Sequence, residues 1–289
     1  MRRSENAVIN YTLWRLWDVW HFCAGIAGII RTEYRLRKNL FQKPHSIPGE
    51  VVVSLTSHPV RFPFLEKTLK SLLTQTVKAD RVTLWIAHED MDKLTKGILA
   101  LKKYGLEIHE TENYRSFTKL VPALKKFPDA YIVTADDDVY YSPEWLEVLL
   151  GEWDGQKDHI LGYKGFYFML DQNGQPMRST EWREDPTKMP EGEKHFMPLG
   201  ESGILYPPHS LHADVTDEKL FTSLSPKADD FWFYWMARMA RSSYERTRYN
   251  WTKINWPGSQ KYGLWKDPNL HTENDKRIGN LFRAYGWPV

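Results

Sequence analysis

Tyr131-Ile132-Val133-Thr134-Ala135-Asp136-Asp137-Asp138-Val139-Tyr140-Tyr141 is the stretch on which the reading of the fold turns. Its first half is β-branched and aromatic and follows Pro128-Asp129, the pattern of a buried strand in a parallel sheet. That strand runs straight into three carboxylates, which resist being held side by side unless a cation neutralises them. In an open α/β sheet, ligands bind beyond the carboxyl ends of the strands. Hard oxygen donors at such a point suit Mg²⁺ or Mn²⁺ held jointly with substrate phosphates, which implies a nucleotide-diphosphate site. If the acids continue the extended strand, Asp136 and Asp138 face one ion and Asp137 faces away. A solvated acidic turn is the plainer alternative.

Working outward, the segments on either side alternate between strand and helix. Val51 to Thr56 is a near-continuous apolar run of the doubly covered kind. Leu65, Leu69, Leu72 and Leu73 then fall on one helical face, in a helix opened by Pro63. Arg81 to Ala87 reads as the second strand, Met91 to Tyr104 as a second helix capped by Gly105, and Leu106 to His109 as a third strand. Ser142-Pro143-Glu144-Trp145 starts a helix that Gly151 stops. This βαβα order predicts an α/β fold with a mixed, mainly parallel sheet flanked by helices. Further on, Leu161 to Met169 predicts two strands broken at Gly165, and Asp171-Gln172-Asn173-Gly174 a turn. Glu181 to His195 reads as a long loop. Phe231 to Arg241 is apolar almost all round and so a buried helix. Ile278, Leu281, Phe282 and Tyr285 mark a last amphipathic helix.

Composition bounds the function. The 39 basic and 37 acidic residues nearly cancel and form no long block, so charge gives no footprint for nucleic acid. Thirteen Trp and fifteen Tyr exceed the needs of one core, and such rings are common where sugars or lipid headgroups are met. Cys23 is the only cysteine, which excludes an intrachain disulfide and a cysteine-based zinc cluster and fits a reducing cytoplasm.

Residues 1–48 differ from the domain expected over 49–289. They form an aromatic and basic helical extension: Trp14, Trp17 and Trp20, then a small apolar run to Ile30, then Arg31, Arg35, Arg37 and Lys38. Arg15, Asp18 and His21 interrupt the apolar stretch, which is too short to span a bilayer. Two readings stand open, a helix lying in a membrane surface and a helix packed on the domain.

With the motifs in hand, the chain resembles the GT-A glycosyltransferases, in the family-2-like branch found in bacterial surface-polysaccharide clusters. Asp136-Asp137-Asp138 is similar to their DxD element. Val51-Val52-Val53-Ser54-Leu55-Thr56-Ser57, Gly203-Ile204-Leu205-Tyr206-Pro207-Pro208 and Ala228-Asp229-Asp230-Phe231-Trp232-Phe233 follow in the family's order, so the resemblance covers about residues 50 to 285. It implies a GT-A-like, Rossmann-like fold and an enzyme that moves a sugar from a UDP- or GDP-sugar to a glycan or lipid-linked glycan. The setting it implies is cytoplasmic, on the inner face of the membrane if the extension is interfacial.

Residue by residue, the resemblance puts donor contacts at Thr56, Ser57, Arg61, Lys119, Asp136 and Asp137. It puts Mn²⁺ or Mg²⁺ at Asp136 and Asp138, with His271 as a late ligand. Acceptor contacts fall at Gly200, Glu201, Ser202 and Tyr206, although the family usually carries small residues where Glu201 and Ser202 stand. Asp230 becomes the base of an inverting reaction and Asp229 orients the acceptor, whereas composition alone makes the pair a helix cap. A nucleotidyltransferase using the same acids and a non-catalytic carbohydrate-binding module are the competing classes.

Overall fold

A computed structural model describes the backbone of residues 2–40, 42–262 and 269–287, with side chains for 15–40, 42–260 and 269–287. Trp14 and Trp265 therefore lie outside the described side chains. The strands are β1 (Val51–Thr56), β2 (Arg81–Ala87), β3 (Leu106–Thr111), β4 (Tyr131–Thr134), β5 (Val139–Tyr140), β6 (His159–Gly162), β7 (Gly165–Phe168), β8 (His195–Pro198), β9 (Ile204–Tyr206), β10 (Ser243–Arg246) and β11 (Ile254–Asn255). The helices are α1 (Arg2–Lys38), α2 (Phe62–Leu73), α3 (Lys96–Ala100), α4 (Val121–Lys126), α5 (Trp145–Gly151), α6 (Glu218–Leu224), α7 (Asp229–Met239) and α8 (Leu270–Tyr285).

Among the described residues, seven strands form the central sheet in the order β10-β6-β9-β4-β1-β2-β3. Successive residues of a strand point to opposite faces, and here each face has its own core. Leu84, Val133 and Leu205 enter one apolar cluster with α2 and α5. Their neighbours Trp85, Ile132 and Ile204 enter the other, built on α7 and α8. Burying such a side chain contributes about 1.5–3 kcal/mol, so a one-residue slip in register would cost both cores at once. This is the mixed, mainly parallel α/β sheet expected from the sequence.

One strand runs against the others. β9 is antiparallel to β4, with Thr134 opposite Ile204, so the loop that enters β9 lies beside the loop that leaves β4. Residues 200–203 thereby meet the acids at the same sheet edge. A second device closes that edge: β11 pairs antiparallel with β5, Ile254 opposite Tyr140, folding the late chain over the acidic loop.

Several expected elements differ in detail. The helix expected over Met91 to Tyr104 is broken at Leu94, which is extended, and Thr95 caps a new helix by accepting from Ile98 N at 3.3 Å. Gly105 ends the stretch at φ 97°, as a left-handed terminus requires. The strands either side of Gly165 go to different sheets, β6 to the central one and β7 to a hairpin with β8. A Cβ at Gly165 would lie 2.0 Å from Met197 O, so only glycine allows that pairing. The buried helix begins at Asp229 rather than Phe231 and is enclosed from Phe231 to Ala237.

The extension is one long helix, and its second half packs on the domain. A Cβ at Gly25 would meet Pro257 at 2.9 Å and one at Gly28 the Tyr140 ring at 3.0 Å. Arg35 Nε donates to Thr74 O at 2.7 Å, and Leu36 joins the core.

Candidate functional site

The three acids do not continue β4. Residues 137 and 138 form a turn before β5, so strict alternation does not apply and each carboxylate has its own setting. Asp136 Oδ1 is 2.9 Å from Lys119 Nζ. Its backbone N–H donates to Tyr141 Oη at 2.8 Å, and that hydroxyl donates to Glu201 O at 3.1 Å. Tyr141 thus ties the acidic loop to the loop before β9. Asp137 Oδ2 accepts from Ser57 Oγ at 2.5 Å. Asp138 Oδ2 is bonded by Arg61 Nη1 and, at 2.9 Å, by Gln260 Nε2.

Burial is the main influence on Asp137 and Asp138 in this loop. Burial pushes the Asp137 carboxyl up to about 7; the Ser57 hydrogen bond opposes that rise and the Asp138 charge adds to it. Burial and the charge of Asp136 also raise the Asp138 carboxyl, against the pull of Arg61.

Lys119 joins this loop to the second acidic pair. Its chain position is fixed by Ser54 Oγ, which donates to Lys119 O at 2.6 Å from inside β1. The buried ammonium lies 2.9 Å from Asp136 and 3.0 Å from Asp229 Oδ2. Burial by itself would lower this lysine, but the charges of Asp136, Asp229 and Asp230 outweigh it and hold the group well above its ordinary range.

Asp229 and Asp230 occupy the first turn of α7, where acids ordinarily cap. Neither does so: the N-cap position is Ala228 and no side chain caps the helix. Asp229 turns to Lys119. Asp230 Oδ1 accepts the Gly200 N–H at 3.1 Å. Burial, with the Asp229 charge adding, pushes the Asp230 carboxyl up to about 7 against Lys119. Gly200 is needed for this approach, since a Cβ there would stand 2.5 Å from Lys119 Nζ and 3.1 Å from Asp230 Oδ1.

The remaining expected site residues divide. Thr56 Oγ1 donates to Trp85 O at 2.9 Å at the same sheet edge. Glu201 pairs with Lys253 at 2.5 Å and is half-buried. Ser202 is fully buried, its hydroxyl donating to Leu199 O at 2.9 Å and accepting from Lys164 N at 3.3 Å. Tyr206 lies inside the core against Phe233, so Ser202 and Tyr206 shape the loop from behind. Gly203 stands at φ 100° with the Trp145 ring where a Cβ would be, a packing need rather than an approach to ligand. His271 is on α8 with Nδ1 3.2 Å from Ser179 Oγ, and the fold does not bring it into a ligand group with Asp136 and Asp138.

Sequence reasoning missed Gln260, Ser259 and Lys253. Ser259 O accepts from Arg61 Nη1 at 3.1 Å, so the late segment holds both members of the Arg61–Asp138 pair. Pro257-Gly258 is a turn signal, the one cue that the chain doubles back there.

The site fits a divalent cation on charge. Asp136, Asp137, Asp138, Asp229 and Asp230, five acids, gather around the two bases Lys119 and Arg61. Among the described residues no three acid or imidazole side chains form a ready-made ligand set. A site of one or two carboxylates completed by substrate phosphates is the way Mg²⁺ is ordinarily held.

Residues 58–207 match the sequence family described as Glycosyl transferase family 2. The match takes in just over half of the chain, from the residue after Ser57 through the acidic loop to β9, and the chain belongs to that family. Asp229 and Asp230 lie beyond the matched residues. No curated protein matches the chain.

Three solved structures similar to the chain are of low identity. CMP:2-keto-3-deoxy-manno-octonic acid synthetase complexed with CTP is 13% identical over 68% of this chain and 88% of that one, with a TM-score of 0.41. Inositol-1-phosphate CTP transferase from T. maritima is 9% identical over 82% of this chain and 98% of that one, with a TM-score of 0.44. Glucosyl-3-phosphoglycerate synthase from Mycobacterium tuberculosis, in complex with Mn²⁺, UDP and glucosyl-3-phosphoglycerate, is 15% identical with a TM-score of 0.31. That likeness covers 40% of this chain and 44% of the other.

Proposed function

We propose that the chain is a metal-dependent glycosyltransferase that moves a sugar from a UDP- or GDP-sugar to a glycan or lipid-linked glycan with inversion at the anomeric carbon. The observation that carries this reading is the pair Asp229-Asp230 at the start of α7: Asp229 turns to the ammonium that also holds the acidic loop, and Asp230 beside it accepts the Gly200 N–H.

Asp136 and Asp138 would hold Mn²⁺ or Mg²⁺, whose charge offsets that of the departing diphosphate. Ser57, Arg61 and Gln260 fix the loop so that its carboxylates need little rearrangement when the donor arrives. Lys119 supplies a buried positive charge between donor and acceptor sides. Asp230 takes the proton of the acceptor hydroxyl as that oxygen bonds to the anomeric carbon and the bond to the nucleoside diphosphate breaks. Its carboxyl, pushed up to about 7, has the proton affinity that a base working near neutral pH requires. Asp229 and the Gly200 loop orient the acceptor.

The products test the assignment. Full-length protein given Mn²⁺, a panel of UDP- and GDP-sugars and a glycan extract is expected to release the nucleoside diphosphate. Release of pyrophosphate from a nucleoside triphosphate and a sugar phosphate would make the chain a nucleotidyltransferase instead.

A further inference from the structure

The extension has two apolar faces, one of them packed on the domain. Gly25, Gly28, Thr32 and Leu36 are three or four residues apart and buried against the domain. On the opposite side of the same helix a second stripe recurs at helical spacing: Leu16, Val19, Trp20, Ile26, Ile30 and Tyr34. Ile30 is 66% exposed and Leu16 61%, and it is their alignment with the others in one stripe, rather than either exposure alone, that marks a surface of interaction. Trp17 stacks on Trp20 at 5.3 Å between ring centroids, extending the surface at its amino-terminal end.

The charges around this stripe point to its partner. Arg37 and Lys38 lie exposed just beyond Tyr34, and Arg31 flanks the stripe from its pairing with Glu144. Acids are scarce on this part of the helix: only Asp18 and Glu33 occur between residues 15 and 40, and Glu33 is tied to Lys70 of α2. A second copy of the helix would offer the basic end almost nothing to pair with. No helix of the described residues is long and apolar enough to cross a membrane. Apolar side chains and tryptophans on one face with arginines and lysine at its end are what the headgroup layer of an anionic bilayer accommodates.

We propose that the outer face of α1 docks on an anionic lipid surface, with the helix lying in the plane of the headgroups. Since Gly28 of α1 sits on Tyr140, two residues from Asp138, docking would hold the acidic loop next to the membrane. That position favours an acceptor carried by lipid.

Co-sedimentation of the full chain with phosphatidylcholine vesicles, with and without phosphatidylglycerol, tests the proposal. The protein should sediment with the anionic vesicles and be released by high salt. Val19→Glu with Ile30→Glu should lower the bound fraction by about tenfold or more, because two charges would have to enter the apolar layer. Both positions face away from the domain, so the thermal midpoint should stay unchanged and show that the variant folds. Arg37→Glu with Lys38→Glu should remove the preference for anionic lipid. A wild-type chain that stays in the supernatant with either vesicle overturns the proposal. So does one bound equally before and after Val19→Glu with Ile30→Glu. A dimer in lipid-free solution that Ile30→Glu dissociates would assign the face to a second copy instead.

Discussion

The acidic loop after β4 and the acidic pair at the start of α7 place five carboxylates in one region, yet they are stabilised in different ways. In the loop, Asp137 and Asp138 have partners of their own in Ser57, Arg61 and Gln260. The α7 pair depends on one lysine, shared with Asp136, and one backbone N–H. Burial raises a carboxyl in each region to about 7, Asp137 in the loop and Asp230 in the pair. What differs is the partner, since the loop acids have side chains of their own and the pair faces a shared ammonium. On the function proposed above, the first would bind and the second would take the proton.

The sharpest way to break this comparison is Asp230→Asn. Losing a general base typically costs about 10²- to 10⁴-fold in rate, so kcat should fall by that much while donor affinity barely changes. Asp229→Asn should fall less and act through the acceptor KM. A variant Asp230→Asn with normal turnover would return the pair to a structural role. The pH dependence has a definite sign. A carboxyl raised from its ordinary 3.8 to about 7 binds its proton more tightly folded than unfolded. Its contribution to stability is therefore full at low pH and lost as pH rises to about 7. Activity should run the other way, rising with pH through about 7 as Asp230 becomes free to accept a proton.

Lys119→Met sharpens the comparison by removing the shared cation. Breaking a buried ion pair from one side costs roughly 3–5 kcal/mol because the other charges stay buried and unpaired. Urea unfolding should show that loss at pH 8 and a much smaller one at pH 5, where the orphaned acids can take up protons. Equal losses at both pH values would mean that the lysine matters for packing and not for charge.

Much of this was legible in the sequence for physical reasons that hold locally. The parallel strands β1, β2 and β4 are buried on both faces, so their apolar runs identify them without tertiary context. Gly105 and the Leu65-Leu69-Leu72 stripe likewise carry their own explanation. Ser57 and Asp136, which follow the ends of β1 and β4, and Arg61, which opens α2, could be named from sequence because they sit next to recognisable elements. The site was not legible where a contact depends on chain reversal: Gln260 reaches Asp138 only because β11 pairs with β5. Ser202 and Tyr206 looked available because sequence does not show which side of a short strand faces in. The acids of the central loop were expected to alternate, but the turn that carries them sets each one by its partner.

Calorimetric titration of UDP and GDP into the full chain, with Mn²⁺ and then with chelator, tests the central proposal that Asp136 and Asp138 would hold a cation that supplies charge to the donor diphosphate. The wild-type chain should bind the nucleotide far more tightly with the ion, since unshielded phosphates would otherwise face the carboxylates. Asp138→Asn should lose that gain and keep its fold. Equal affinity with ion and chelator, or an undiminished gain in Asp138→Asn, would contradict the account.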